Sequence, residues 1–506
     1  MFLSNNALHP IVQFWIKYPA LLISSAALLG SALEVSWNVF YLLPITLLLL
    51  PFLTKKELPK AGILILSLFL FFFHAKFFQD APIHLPEKKE GVCHFAIDSL
   101  QNKSSPFHKY LSYKGTIKHF LTKEGENYSS IPSQISIPIG VQAPCANQDY
   151  LIWGTLEEKE PGKIFFKPHK EIPWRPLENT FSFAQFRYTS KNFIKSHLEK
   201  SIPDKQVSAF LSAIFTGEIE DRTMSFFFTK LGLAHLLAIS GFHFALLAAF
   251  SHCILRLFLS PKASAWSLLF LVTSYFFYVG PLASVIRAWI AISLFLLGKI
   301  FQRKTSGLNV LGAAMLLEII LNPFIIKQAG FQLSFLCTLA ILLSFRPLEN
   351  LLTYLLPKRS LHDSLELTTV SKYGYLFTSF LRTSLALNLA VTIFSLPALL
   401  AIFHTFPYMS LFYNLFIPLI VSLIFALLLL GLLFSFIPIF SSIIHSLNSV
   451  ITKQLLDLAY YSPTNFNVSL QVSSFPLSLV ICFSCLLFVF TIWVQTKYKK
   501  EMGQFT

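Results

Sequence analysis

The chain has 506 residues, of which 54% are hydrophobic and 13% are charged, and its mean hydropathy is +0.61. An ordinary soluble domain carries roughly 25% charged residues, so the composition excludes a soluble globular protein and predicts a polytopic membrane protein. The formal net charge of +15 is consistent with basic cytoplasmic loops, with binding to anionic lipid and with binding to a polyanionic substrate. The charge alone does not distinguish these explanations.

About 11 apolar segments have the length of transmembrane or re-entrant helices, which need roughly 20 residues each. Several contain Pro or Gly, which suits helices buried among neighbours that satisfy the freed backbone groups. The segments lie near residues 18–34, 37–53, 61–79, 232–258, 264–280, 282–301, 307–321, 329–345, 383–403, 409–436 and 474–495. The sequence therefore predicts an α-helical bundle, with its first helices in residues 1–79.

Lysines in the short loops predict the orientation of the chain. Lys55, Lys56 and Lys60 lie between the second and third predicted spans, which places that loop in the cytoplasm and the region after Phe78 outside. The count of spans then puts the short polar tail of residues 496–506 outside, whereas its lysines favour the cytoplasm. This conflict leaves open whether a segment near residues 411–461 re-enters the membrane or lies on its surface.

The end of that segment is predicted to be an interfacial helix, because apolar residues recur at helical spacing between His445 and Tyr460. The residues that form this apolar face are Leu447, Val450, Ile451, Gln454, Leu455 and Leu458.

Residues 80–180 have a different composition, with short alternating apolar stretches separated by turn residues. GTIKHFLT, SQISIPIGVQ, YLIWGTLEE and KIFFKPH each read as a strand. About five strands in roughly 100 residues suit a small all-β domain of the OB type, and a sandwich fits the pattern equally well. The orientation above makes this an extracytoplasmic domain inserted between helices.

Basic and aromatic residues interleave in this β domain, as in proteins that stack bases on rings and track phosphates with ammonium groups. The candidates for DNA binding are Tyr113, Lys114, Lys118, Phe165 and Lys167. An aromatic barrel core with a solvated lysine face explains the same pattern, and it is the favoured interpretation of the domain taken alone.

Two of the six cysteines, Cys93 and Cys145, fall in the β domain. In an oxidising compartment such a pair closes a loop and stabilises the fold, so we predict a disulfide between them.

Residues 181–230 are predicted to form amphipathic helices that connect the β domain to the main helical region, residues 231–495. That region opens with GLAHLLAISGFHFALL, from Gly232 to Leu247, an apolar run that contains four residues of special interest. They are His235, Ser240, Gly241 and His243. Polar groups in hydrocarbon are costly and usually mark a lumen, a partner helix or a site, and Ser240 with Gly241 would permit a break in the helix.

The surroundings of the two histidines disfavour a metal centre, and those of Ser240 disfavour a serine hydrolase. The two histidines lack further ligands at zinc-site spacing, and Ser240 lacks the G-x-S-x-G elbow and an acid to orient a base. No enzymatic activity, metal or cofactor is therefore predicted. Further polar residues in predicted spans are Arg287, Gln332 and Asn414. With the histidines they favour a water-filled route over polar contacts between helices.

GLAHLLAISGFHFALL resembles the signature of the ComEC family of competence DNA-uptake channels. Four further segments resemble the family's motifs in the expected order: FLSAIFTGE, ASVIRAWI, NPFIIKQAGFQLSFLCTLAIL and FHTFPYMSLFYNLFIPLI. The resemblance covers nearly the whole chain. Unlike many members of the family, the chain has no C-terminal metallo-β-lactamase-like domain. It also carries Phe242, Phe244 and Ile290 at positions where other apolar residues are usual in the family.

The resemblance implies a channel in the bacterial inner membrane that passes single-stranded DNA into the cytoplasm during natural transformation. Its implied partners are a DNA receptor outside and a helicase or strand-binding protein inside. Hydrolysis of the second strand either falls to a separate nuclease or does not occur. The chain has no G-x-x-x-x-G-K-[ST] loop for ATP hydrolysis. A secondary transporter for an anionic small molecule and a membrane-embedded metal-dependent enzyme remain as alternatives.

Overall fold

The computed structural model describes most of the chain. The described residues are 5–53, 57–78, 88–104, 109–138, 144–160, 163–169, 172–219, 221–359, 369–461 and 468–502. Lys55, Lys56, the predicted domain boundary at residues 79 and 80, and residues 503–506 of the predicted tail lie outside this part.

Four helices form the N-terminal helical region: α1 (Asn5–Lys17), α2 (Pro19–Val35), α3 (Leu42–Leu49) and α4 (Leu58–Phe78). The chain bends by 99° between α1 and α2, where Pro19 begins the second helix. α2 packs so closely on α4 that a side chain on Gly30 would collide with the backbone of Leu68. Small residues at helix contacts are typical of membrane proteins.

An antiparallel sheet follows, built from β1 (Lys89–Ser104), β2 (Lys109–Thr122), β3 (Asn127–Pro138), β4 (Tyr150–Glu160) and β5 (Lys163–Pro168). The strand order is β3-β2-β1-β4-β5, and the short β6 (Arg175–Pro176) pairs with β4. The two outer strands of this order, β3 and β5, lie against each other. Irregularities in β1 at His94/Phe95 and Ile97/Ser99 bend the central strand, which lets the sheet curl around its core.

The four predicted strands are segments of β2, β3, β4 and β5, and the central strand, β1, is not among them. β1 carries an alternating set, Cys93, Phe95 and Ile97, that faces the core. Gly91 and Asp98 are typical of turns and obscure this period of two.

The structure corrects the predicted disulfide, because Cys93 and Cys145 are both free thiols. Cys93 is 0% exposed and pairs with Ile152 of β4, whereas Cys145 is exposed and precedes β4. β4 pairs Tyr150 with Phe95, so the chain from Ile152 back toward Cys145 leads along the sheet away from Cys93.

The two thiols should differ in reactivity. Burial raises the pKa of the Cys93 thiol to about 12, so at pH 8 it is protonated and enclosed, whereas Cys145 is accessible. We expect maleimide to label Cys145 but not Cys93 in the folded full-length protein, and both after denaturation, as measured by peptide mass spectrometry. If both resisted labelling until a reductant was added, the disulfide would exist after all.

Three helices connect the β domain to the main helical region: α5 (Ala184–Ser201), α6 (Lys205–Thr216) and α7 (Arg222–Lys230). Arg187 of α5 donates hydrogen bonds to the carbonyl oxygens of Asp98 in β1 and Phe277, at 2.8 and 3.0 Å. Lys191 donates to the carbonyl of Val279 at 3.0 Å and pairs with Glu218 at 3.2 Å. α5 thus fixes the β domain to the segment around residues 277–279.

The described part of the main helical region contains ten further α-helices and a small β-pair. In chain order they are α8 (Ala234–Leu237), α9 (Gly241–Phe258), α10 (Pro261–Val279), α11 (Ala283–Ile300), α12 (Gly307–Leu321), α13 (Ala329–Leu352), α14 (Thr369–Phe403), β7 (Thr405–Pro407), α15 (Ser410–Leu433), α16 (Pro438–Tyr460), β8 (Ser469–Gln471) and α17 (Leu477–Met502). β7 pairs with β8.

Six helices among the described residues are long and apolar enough to cross a membrane, or seven if the bent α1 and α2 form one span. The six are α4, α9, α13, α14, α15 and α17. The protein is therefore a mostly helical, multi-pass membrane protein with an N-terminal antiparallel sheet. The five further predicted segments coincide with α2, α3, α10, α11 and α12, which are not among these six.

α16 turns its polar residues inward and its apolar residues outward. Ser441 donates to the carbonyl of Gly431 in α15, and Asn448 donates to that of Ile424. Leu447, Val450 and Leu458 of the predicted apolar face are exposed. The prediction of a helix here is confirmed, but its buried face is largely the polar one, as expected where the surrounding solvent is lipid.

Gly431 is essential to this contact. A methyl group there would lie 2.6 Å from the ring of His445, which is 1% exposed and has no room to move. We expect Gly431→Ala to destabilise the protein by about 1–3 kcal/mol through overpacking, measured as a lower unfolding temperature in detergent. Gly374→Ala in α14 is the control, because a methyl group there meets nothing within 4 Å. Equal unfolding temperatures for both variants would contradict the close packing of α15 on α16.

Candidate functional site

The apolar run from Gly232 to Leu247 is a broken helix. α8 ends at Leu237, the backbone is extended at Ala238 and Ser240, and α9 begins at Gly241. The predicted break at Ser240 and Gly241 is confirmed. In a membrane such a break leaves backbone groups without helical partners, and other groups must satisfy them.

Two side chains satisfy backbone groups at the break. The hydroxyl of Ser284, at the start of α11, donates to the carbonyl oxygen of Ile239 at 2.8 Å. The Ser240 backbone N–H donates to Nδ1 of His243 at 3.4 Å. Because Nδ1 accepts this bond, a neutral His243 ring carries its proton on Nε2.

The two histidines of the motif have different surroundings. His243 is 0% exposed, its ring lies edge-on to Phe425 of α15 at 5.5 Å, and its Nε2 has no partner within the described residues. His235 on α8 is exposed. An exposed histidine is poorly suited to lipid, so its position favours a water-accessible space beside the break.

The structure brings the break next to α11. A side chain on Gly241 would meet Ala288 of α11 at 3.7 Å, and Ser284 of the same helix reaches Ile239. Arg287 lies between these two α11 positions in sequence. It is 6% exposed, and its guanidinium carbon lies 5.3 Å from the ring centre of Phe335 in α13. Arg287 is thus near the break in the fold but does not present its charge at an open surface.

Gln332 and Asn414 lie in helices that flank the region. Gln332 is exposed, and its Nε2 donates a hydrogen bond to the carbonyl of Ile326 at 2.8 Å. Its amide nitrogen therefore stabilises the fold, at least in part. Asn414, in the first turns of α15, has a buried Oδ1 without a partner in the described part of the chain.

The β-domain candidates separate into one buried and four accessible residues. Tyr113 is 0% exposed and its hydroxyl donates to the carbonyl of Pro144, so it offers no face to a base. Phe165 is 45% exposed, and Lys114 and Lys167 are exposed. Lys118 is exposed and pairs with the buried Asp149 at 2.8 Å.

Two buried polar groups are not among the predicted site residues. Glu318 of α12 is 2% exposed, and His445 of α16 has no partner for either ring nitrogen among the described residues. His445, Asn448 and Thr452 recur at helical spacing, a signal of one polar helix face that could have been read from the sequence. The signal for Glu318 is its position, an acid inside the predicted apolar span of residues 307–321.

Comparison with known proteins relates the main helical region to one family. The sequence pattern described as Competence protein matches residues 216–497, more than half of the chain. ComE operon protein 3 of Bacillus subtilis (strain 168) is 26% identical over an alignment of 209 residues, which covers 38% of this chain and 27% of that relative. No solved structure matches the chain. The match to the family includes the broken helix α8–α9, α11 with Arg287, and α15, and the chain belongs to the Competence protein family.

Proposed function

We propose that this protein is a channel in the bacterial inner membrane that passes single-stranded DNA into the cytoplasm during natural transformation. The observation that carries the proposal is the broken helix α8–α9, which lies in the family-matched region and places the exposed His235 beside unwound backbone. Unwound backbone at membrane depth is tolerated where it is buried in protein or lines a water-filled cavity. A polar passage there suits a charged strand.

The β domain would receive the strand on the outer side of the membrane. We infer that it is an OB-type barrel, because β1 pairs with both β2 and β4 while β3 approaches β5, as in a five-stranded barrel. Its accessible basic and aromatic residues would bind phosphates and bases: Lys114, Lys118, Phe165 and Lys167.

Inside the membrane the strand would meet several weak contacts rather than one strong one. His235, Ser240, Gly241, His243, Arg287, Gln332 and Asn414 are the proposed lining or contact residues. Sites that bind moderately let a charged solute leave as well as enter. The chain would act without catalysis of its own, so a helicase or strand-binding protein inside would pull, a receptor outside would deliver DNA, and a separate nuclease would degrade the second strand.

The passage can be tested at His235. Because DNA is a polyanion, His235→Glu should lower uptake by about tenfold or more through like-charge repulsion. His235→Gln, which keeps polarity without charge, should retain most of it. The measurement is entry of labelled DNA into the cytosol of a transformable host whose own channel gene is replaced by this one. Normal uptake with His235→Glu, at normal protein level, would contradict a passage beside the break.

The β domain can be tested separately by binding of labelled oligothymidylate to the purified full-length protein. Phe165→Ala should weaken binding by about tenfold through lost stacking, without changing the salt dependence. Lys167→Ala should reduce the slope of log K against log salt by about 0.7, the value for one phosphate contact on a single strand. Lys453→Ala, an exposed lysine outside the β domain, is the control. Unchanged affinity in both β-domain variants would remove these residues from the DNA site.

A secondary transporter for an anionic small molecule is the second candidate, since a buried arginine near a broken helix would also suit a small anion. Uptake of labelled DNA separates the two functions. A membrane-embedded metal enzyme gains no support, because the described residues contain no group of three or more His, Cys, Asp or Glu that could hold a metal.

A further inference from the structure

α5, the helix that carries the β domain, buries two of its cations and exposes its aromatic rings. Lys191 is 7% exposed and Arg187 is partly buried, and both donate hydrogen bonds to backbone carbonyls at the end of α10. Phe186 and Phe193, by contrast, are 58% and 69% exposed. In water the burial of a phenylalanine ring is strongly favourable and the burial of an ammonium group is costly. The arrangement in α5 is therefore the reverse of the one that water would favour.

The exposed rings of α5 belong to a stripe that follows the helix. Phe186, Thr189, Phe193, Ser196 and Lys200 are separated by three or four positions, and all five are exposed. The stripe combines two large rings with hydroxyl groups and ends in a lysine, on a helix of low overall hydrophobicity. This composition is typical of a helix that lies in the plane of a membrane, with its rings between the headgroups and the acyl chains.

The exposed rings continue from α5 onto α10. The ring centre of Phe183 lies 4.8 Å from that of Phe181 and 5.7 Å from that of Phe277 in α10. Phe277 shares one face of α10 with Trp266 and Phe270, and all three are exposed. Because α10 packs against α9, which is apolar enough to cross a membrane, this aromatic face of α10 borders lipid. The aromatic surface that joins it consists of Phe181, Phe183, Phe186, Phe193 and Phe277.

The cations of α5 that neighbour this aromatic surface already have partners within the protein. Arg187 donates to two backbone carbonyls, and Lys191 pairs with Glu218 at 3.2 Å. Lys195 lies 3.9 Å from the carboxylate of Glu199. A nucleic acid that stacked its bases on these rings would need free cations for its phosphates. The aromatic surface therefore favours an apolar partner over a polyanion.

We propose that the aromatic surface binds lipid, at the boundary between headgroups and acyl chains in the leaflet on the side of the β domain. Arg187 and Lys191 hold one face of α5 to β1 and α10, while lipid covers the opposite face. The rings are continuous with the lipid-bordering face of α10, so α5 lies at the edge of the membrane region. Lipid thus keeps the base of the β domain at one depth, whether or not DNA passes.

A spin label on the aromatic surface tests this contact through its collisions with oxygen, which concentrates among acyl chains, and with a nickel chelate, which stays in water. p-Acetylphenylalanine replaces Phe193 in the full-length protein and carries a ketone-reactive nitroxide. The protein is placed in nanodiscs of phosphatidylethanolamine and phosphatidylglycerol, one copy per disc. Oxygen should relax this label severalfold more than the nickel chelate does. Phe69 of α4, which is 59% exposed on a predicted span, is the lipid reference.

Phe165 is the matched control, because it is a phenylalanine of the β domain that is 45% exposed, and its label should collide more with the nickel chelate. An excess of nickel collisions at Phe193 would place the aromatic surface in water and overturn the proposal. Few collisions with either reagent would show that protein covers the surface, which also overturns it. Should the variant labelled at Phe193 not fold, the label at Phe186 decides by the same criteria. No DNA enters the measurement, so failure of the channel function would leave its result unchanged.

Discussion

The absence of water from the bilayer core is the constraint on which this structure depends. A helix can be broken there only if other groups take over the freed backbone. At the break between α8 and α9, Ser284 binds the carbonyl of Ile239 and His243 accepts the N–H of Ser240. His243 of the motif and Ser284 of α11 thus have a structural task, whatever they contact in the passage. A polar motif in a membrane span need not be catalytic.

The same constraint explains why the helices expose large apolar side chains that a soluble protein would bury. α4 exposes Ile63, Leu66 and Phe69, and α16 buries Ser441, Asn448 and Thr452 against α15. Lipid gives apolar side chains no reason to turn inward, so close packing and interhelical hydrogen bonds hold the helices together. Gly30 lets α2 approach the backbone of α4, and Gly431 lets the ring of His445 approach α15.

The sequence predicted the helical class, four of the five main strands and the break, because each depends on a local pattern. Ser240 and Gly241 interrupt an apolar run, and β4 alternates visibly in YLIWGTLEE. Rotation of a helix about its axis is not local. Arg287 of α11 and Glu318 of α12 are both buried, and neither their burial nor the packing of α11 on α12 follows from a local pattern. Tyr113 is a predicted DNA-binding residue that the structure places in the core, because sequence does not say which side of a curled sheet is filled.

The attachments of Arg187 and Lys191 give the β domain a mechanical property. A domain on a single flexible linker would swing when pulled, whereas here α5 is bonded to β1, to the end of α10 and to Glu218. Glu218 follows Gly217, whose missing side chain leaves just enough space for Ile239 in the break. Tension on the β domain would therefore pass through two cationic side chains into the helices around the break, so the domain and the membrane region would respond to force as one body.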